Sequence, residues 1–240
     1  NTQVSYLLQR INHHVFPNVD GLMHNIALVT KHLSEKVKVA KGKRVSDHVL
    51  TIVPTIDGNL YIQDDRGNYW RMFILIEDTK SYDIVETEFQ AAEGGRAFGL
   101  FQKQLSDLDA SLIVEVLPNF HNIDFRLENL RKAIAKDTCK RVALVKDRLD
   151  FIFSREDRMQ TILQLGSKGK LPLRITHNDT KFNNVLLDHH DKMQCVIDLD
   201  TVMPGYVAYD FGDAIRTIIN PVAEDETDVS KISLNLARSE

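Results

Sequence analysis

The chain has 240 residues, 43% of them hydrophobic and 27% charged, which is enough apolar material for one large domain or two small ones. A formal net charge of -4 leaves no overall basic field for gripping a nucleic-acid backbone or an anionic membrane, and no stretch approaches the roughly 18 uninterrupted apolar residues of a membrane span. The two cysteines, Cys139 and Cys195, lie in different settings without metal-ligand spacing, so a soluble protein of a reduced cytoplasm is expected, with no nucleic-acid and no membrane partner.

Val4 to Ile11 reads as a strand, and Pro17-Asn18-Val19-Asp20 is a turn and cap signal ahead of Leu22, Ile26, Val29 and Leu33 at helical spacing. Lys38 to Arg44 is a glycine-containing basic run, expected to be a solvated loop, and a strand-like His48 to Val53 follows it. Asn59 to Gln63 and Tyr69 to Ile76 flank Asp64-Asp65-Arg66-Gly67-Asn68, whose glycine and asparagine suit a hairpin turn. Residues 1–76 are therefore expected to form a small antiparallel, strand-rich unit with one helix, and the polar residues 77–83 a hinge.

From Glu86 onward the pattern turns helical: Phe89 to Leu108, Phe125 to Ala135, Thr138 to Phe153 and Arg155 to Gly166 are each helix-compatible. Residues 84–240 are expected to be a larger, mostly helical unit, which makes the class α+β. The string Glu93-Gly94-Gly95-Arg96-Ala97-Phe98-Gly99 is not read as a phosphate cradle, because such a loop joins a strand end to a helix start and here Glu88 to Glu93 already runs in helical register. Its small residues suit close helix packing instead. The chain begins at Asn1 without a methionine and ends inside a helical pattern, Leu234 to Glu240, so it is read as a piece of a longer protein whose first unit is incomplete at its start and whose second is incomplete at its end.

The chemistry concentrates in Arg174 to Asp188 and Gln194 to Asp200. Val185 to Leu187 and Cys195 to Ile197 have strand character and enclose the turn Asp188-His189-His190-Asp191-Lys192; symmetric pairing about Asp191 sets Asn184 opposite Asp198. An amide oxygen beside a carboxylate suits Mg²⁺, a hard cation that shares its shell with substrate phosphates. His177-x-Asp179-x-x-x-x-Asn184 has the spacing of a kinase catalytic loop, in which the aspartate takes or orients a hydroxyl proton and the asparagine holds metal. Lys181 is placed to offset charge on a γ-phosphate. Asp210-Phe211-Gly212 carries the lettering of a kinase metal site, but it lies well past the hairpin's open end. Asp198 is thus the expected ligand and Asp210 an N-cap of an apolar helix face running from Phe211 through Ala214, Ile215, Ile218 and Ile219, or a brace for the loop.

His177 to Asn184, Ile197 to Asp200 and Tyr209 to Asp213 resemble the conserved blocks of the aminoglycoside phosphotransferase and choline kinase superfamily. The wording His177-Asn-Asp-Thr-Lys181, Ile197-Asp-Leu-Asp-Thr-Val-Met-Pro-Gly205 and Tyr6 to Phe16 is closer still to its branch acting on N-acetylhexosamines. The resemblance implies a two-lobed, protein-kinase-like fold with an N-terminal nucleotide-binding lobe, ATP and Mg²⁺ as cofactors, and phosphoryl transfer to the anomeric hydroxyl of an amino sugar. By motif it makes Asp179 the catalytic base with Lys181 beside it, Asn184 and Asp198 the metal ligands, and Arg10 and Lys181 the phosphate contacts, with His177, Asp200 and Asp210 in support. Arg10 stands where the family usually has lysine, and the family's Gly-rich loop is absent from this piece.

Blander readings apply elsewhere. His13-His14 and His189-His190 are expected to be solvated, Cys195 a small buried residue, and Phe120-His121-Asn122 either loop structure or the border of an acceptor pocket. A sulfatase would need a Cys/Ser-x-Pro-x-Arg signature, which is absent. Kinases of choline, homoserine or aminoglycosides, and a non-catalytic kinase-like binding protein, remain as alternatives.

Overall fold

The computed structural model describes residues 4–39, 45–220, 222 and 226–236; most of the basic run ending at Arg44 and the last four residues of the final segment lie outside the described residues. The chain divides into two compact units, Asn1–Val116 with Arg174–Glu240, and Leu117–Leu173.

The first unit opens with β1 (Tyr6–Ile11), α1 (Val19–Val39), β2 (Ile62–Gln63), β3 (Tyr69–Ile74) and α2 (Glu88–Gln104). The strands form an antiparallel sheet in the order β1-β3-β2, with Gln9 opposite Arg71 and Arg10 opposite Trp70. The hairpin turn forms as its residues require: Gly67 takes a positive φ of 81°, and the Asp64 carboxylate accepts hydrogen bonds from the Arg66 and Asn68 amides and from Trp70 Nε1. Asn18 Oδ1 accepts from Gly21 N at 2.9 Å to start α1, whose Leu22, Ile26, Val29 and Leu33 are buried as their spacing predicts.

The expected strand at His48 to Val53 does not form. A 3₁₀ turn occupies Val45–Asp47, and only the tail of the segment runs beside β3, through Ile74 N to Thr51 O at 2.9 Å and Val53 N to Met72 O at 2.8 Å. Pro54 follows and has no amide to extend the pairing.

In α2, Thr87 accepts from Gln90 N at the start, and Ala91, Gly94, Ala97, Phe98 and Phe101 face inward. A Cβ at Gly94 would lie 2.7 Å from Phe182 Cδ2, so this glycine lets the helix close on an aromatic ring.

The second unit holds α3 (Ile123–Lys136), α4 (Lys146–Phe153), α5 (Glu156–Met159) and α6 (Thr161–Ser167). Two expected helices are shorter than their patterns. Asp137 and Lys140 adopt positive φ of 35° and 52°, and Asp137 Oδ1 accepts from the amides of Arg141 and Val142, so a turn replaces the first half of Thr138 to Phe153. Arg155 to Gly166 breaks at Gln160 into α5 and α6. Asn122 caps α3 by accepting from Phe125 N.

Back in the first unit come β4 (Arg174–Thr176), β5 (Val185–Leu187), β6 (Met193–Val196), β7 (Met203–Gly205) and α7 (Val207–Ile218). Antiparallel pairs β4–β7 and β5–β6 frame the chemical segment. A Cβ at Gly205 would run into Thr176 Oγ1, so β7 approaches β4 as closely as a glycine permits. Phe182, Val185, Leu187, Phe98, Ala214 and Ile218 form one buried cluster, and burying Phe182 alone stabilises the fold by about 2–3 kcal/mol. Glu93 Oε2, buried on α2, accepts from Met193 N at 2.7 Å and anchors the hairpin to the helix. Among the described residues no helix is long and apolar enough to cross a membrane.

Candidate active site

The loop after β4 is held from within. The amides of His177 and Asn178 donate to the two oxygens of Asp210, at 2.9 and 2.8 Å, and Gln102 Nε2 donates to the same carboxylate. Asp210 is the fourth residue of α7 and Tyr206 occupies the cap, which corrects the N-cap expectation: the carboxylate satisfies the amides of another segment. Burial raises its pKa, and the two backbone donors work against that rise. The helix face is also narrower than expected, since Ala214 and Ile218 are buried but Phe211 is 68% exposed.

His177 is fully buried, with its ring edge-on to Phe98 and Phe101 at 5.6 Å. Its Nε2 lies 2.9 Å from the Ile197 carbonyl, and its Nδ1 accepts from Asp179 N at 3.3 Å. Together these bonds select the tautomer with the proton on Nε2 and occupy both nitrogens, so the ring orients the loop.

Asp179 is thereby presented at the loop's end. Lys181 Nζ stands 3.5 Å from Asp179 Oδ1, and Asn184 Nδ2 donates to the Asp179 carbonyl at 2.8 Å and carboxylate at 3.2 Å. With its amino group committed to Asp179, Asn184 has its amide oxygen left for another partner.

The hairpin register differs from the expectation by one position. Val185 pairs with Val196 and Leu186 with Cys195, a bulge follows at Leu187, and Ile197 N donates to Asn184 O at 2.9 Å. Asp188 N bonds to Lys192 O, which centres the turn nearer its start than symmetric pairing about Asp191 supposes. Asn184 therefore faces Ile197, and Asp198 follows directly.

Asp198 has left-handed backbone angles, φ 58° and ψ 60°, a conformation that costs a non-glycine residue about 1–2 kcal/mol. No described residue donates a hydrogen bond to its carboxylate. Desolvation first, and then the charges of Asp200 and Asp179, raise its pKa, with Arg71 opposing.

Asn184, Asp198 and Asp200 line a cavity of about 610 Å³ together with Arg10 on β1 and Arg71 on β3. Arg10 is exposed, next to Gln9 on β1. Arg71 is buried and bonds Asp200 Oδ1 at 2.6 Å and Gln9 Oε1 at 3.2 Å. Asp179 and Lys181 adjoin this cavity through Asn184.

The donor set fits a Mg²⁺ that arrives with phosphates. No group of three His, Cys, Asp or Glu side chains among the described residues could hold a metal by itself. Asn184 Oδ1 and the carboxylate of Asp198 are hard oxygen donors to which no described residue donates a hydrogen bond, and they line the same cavity. Phosphate and water would supply the cation's other ligands.

Sequence reasoning missed Arg71, Glu93 and Gln102. Arg71 carried a usable signal, a lone cation inside the apolar strand Tyr69 to Ile74; the other two lie on a helix face where polar residues are ordinary. The histidine pair His189-His190 is exposed, as expected, and Cys195 is buried with its thiol pushed up to about 12 by desolvation.

A sequence model of a phosphotransferase enzyme family matches residues 29–229. Among solved structures, the chain is similar to an aminoglycoside phosphotransferase from Alicyclobacillus acidocaldarius, with 13% identity over 88% of this chain and 61% of that one and a TM-score of 0.55. It is also similar to aminoglycoside 2'-phosphotransferase-IIIa in its GDP complex, with 12% identity over 88% of this chain and 66% of that one and a TM-score of 0.51. The chain thus spans less than two thirds of each. At such identity the likeness concerns the fold, a kinase-like one with a small antiparallel sheet and a larger helical part.

Proposed function

Because the chain belongs to the phosphotransferase enzyme family, we propose that it transfers the γ-phosphoryl group of Mg-ATP to a hydroxyl of a small molecule, most specifically as an N-acetylhexosamine 1-kinase acting on the anomeric hydroxyl of GlcNAc or GalNAc. The observation that carries the transfer chemistry is the arrangement of Asn184, whose amino group binds Asp179 while its oxygen is left for a cation beside Asp198.

In this reading residues 1–76 are the nucleotide lobe, 77–83 the hinge and 84–240 the catalytic lobe. The hinge residue Lys80 exchanges backbone hydrogen bonds with Leu187 in both directions, at 2.9 Å, and so ties that segment to the hairpin. Bound Mg-ATP supplies the phosphoryl group and the divalent charge that screens it. Asp179 accepts the acceptor's proton, and Lys181, held near it, neutralises charge developing on the phosphoryl oxygens. Arg10, at the edge of the cavity, is the phosphate contact of this reading, with a guanidinium fork in the place of an ammonium. His177, Asp200 and Asp210 orient these groups.

The sugar assignment is supported by the wording of the motifs from His177 to Gly205. A second acceptor class, aminoglycosides, is favoured by the structural neighbours, which are aminoglycoside phosphotransferases. The experiment is transfer from Mg-ATP to GlcNAc, GalNAc, choline, homoserine and kanamycin, with the phosphorylated position identified. Sugar 1-phosphate from the two N-acetylhexosamines is the expected product. Transfer only to another acceptor would overturn the sugar assignment, and transfer to none would leave a binding protein.

A further inference from the structure

Asp198 and Asp200 flank the buried Leu199 and line the same cavity, yet their surroundings differ. Asp198 takes no hydrogen bond from a described residue. Asp200 is 15% exposed and faces the Arg71 guanidinium, itself 7% exposed, at 2.6 Å. Arg71 has little freedom to leave: it stands on the central strand of the sheet, its Nε reaches Gln9, and its Cζ lies 5.2 Å from the centre of the Phe73 ring.

Without that cation the cavity wall would carry two carboxylates two residues apart, with Asp179 nearby. Such a pair binds divalent cations on its own, because each buried charge lacks compensation. A kinase gains from the opposite arrangement, in which the metal arrives with the phosphates it bridges.

Resting on the phosphotransferase reading above, we propose that Arg71 is a positioning residue that masks Asp200, so that Asn184 and Asp198 alone receive the cation and the cavity takes it up with a nucleotide rather than by itself. The mask is specific to Asp200 because the guanidinium bonds Gln9 and Asp200 and donates no hydrogen bond to Asp198. Arg71 thereby also links the sheet to the turn that carries Asp198.

The test is a titration of Mn²⁺ followed by the electron paramagnetic resonance of the free ion, with and without a non-hydrolysable ATP analogue. The unaltered protein is expected to bind Mn²⁺ with the analogue and weakly without it. Arg71→Met should tighten nucleotide-free Mn²⁺ binding by about tenfold or more, a gain that misfolding cannot produce. Arg71→Lys, which keeps the charge, should restore the weak binding, and Arg71→Met with Asp200→Asn should abolish the gain. Should Arg71→Met fail to fold, Arg71→Gln decides in its place, since it keeps a hydrogen-bond donor beside Asp200 but removes the charge, and the same gain in nucleotide-free Mn²⁺ binding is expected.

Unchanged or weaker nucleotide-free binding in folded Arg71→Met or Arg71→Gln would overturn the mask while leaving the phosphotransferase reading in place. Failure of the unaltered protein to bind Mn²⁺ with the analogue would overturn that reading and the mask with it.

Discussion

Asp210 Oδ1 accepts the backbone amide of Asn178 at 2.8 Å, and its other oxygen accepts that of His177, so one buried carboxylate on α7 fixes two consecutive peptide groups of the loop that presents Asp179. Asp210→Ala would leave both amides buried without an acceptor and is expected to cost about 3 kcal/mol. Urea unfolding measures this directly; a loss below about 1 kcal/mol would mean that water replaces the carboxylate.

Asp179 and Asp198 make different contacts and should fail differently. Asp179→Asn removes the proposed base but keeps the Asn184 contact through the backbone carbonyl, so kcat should fall by about 10²–10⁴ with nucleotide binding nearly unchanged. Asp198→Ala should instead weaken Mg-ATP binding. Calorimetry on both variants separates the roles, and weakened nucleotide binding in Asp179→Asn alone would reverse them.

Neighbouring glycines of α2 predict opposite signs. A methyl at Gly94 meets the Phe182 ring, whereas one at Gly95 meets nothing within 4 Å. Gly94→Ala should destabilise by about 1–3 kcal/mol through overpacking, and Gly95→Ala should stabilise by about 0.4–1 kcal/mol through reduced chain entropy and better helix propensity. Thermal melts of the pair would show equal shifts only if the helix did not close on Phe182.

The hairpin turn carries a pH dependence. Hydrogen bonds to Asp64, led by that from Trp70 Nε1, lower its pKa from 3.8 to about 2. The folded state therefore holds this proton less tightly than the unfolded one, so the stabilisation is complete above 3.8 and is lost as the pH falls through about 2. Trp70 is the chain's single tryptophan, so its fluorescence reports the event. Asp64→Asn should flatten the acid limb of the melting curve in that window; an identical limb would place the titrating group elsewhere.

Much of the molecule follows from local rules that act over a few residues. Leu22, Ile26, Val29 and Leu33 mark a helix because burial on one face demands that spacing, and Gly67 with Asn68 marks a turn because of the backbone angles they tolerate. The spacing from His177 to Asn184 set Asp179 and Asn184 in one loop, and hairpin pairing brought Asp198 next to them, one position from the register expected.

Register and pairing were decided at longer range. The bulge at Leu187, which sets Asn184 against Ile197, depends on how the turn closes, and residue counting from Asp191 misses it. The expected strand at His48 to Val53 had suitable side chains, but only its last residues found β3 as a neighbour. Asp210 looked like a helix cap because its amide partners lie more than thirty residues earlier, at His177 and Asn178. Arg71 and Asp200 are 129 residues apart, and an ion pair at that separation is created by packing of the sheet against the hairpin. Sequence by itself determined which polar side chains the loop and hairpin could offer, because spacing and residue type are local properties. Only the tertiary structure decided which charges stand together, because Coulomb and hydrogen-bond partners are selected by distance in space.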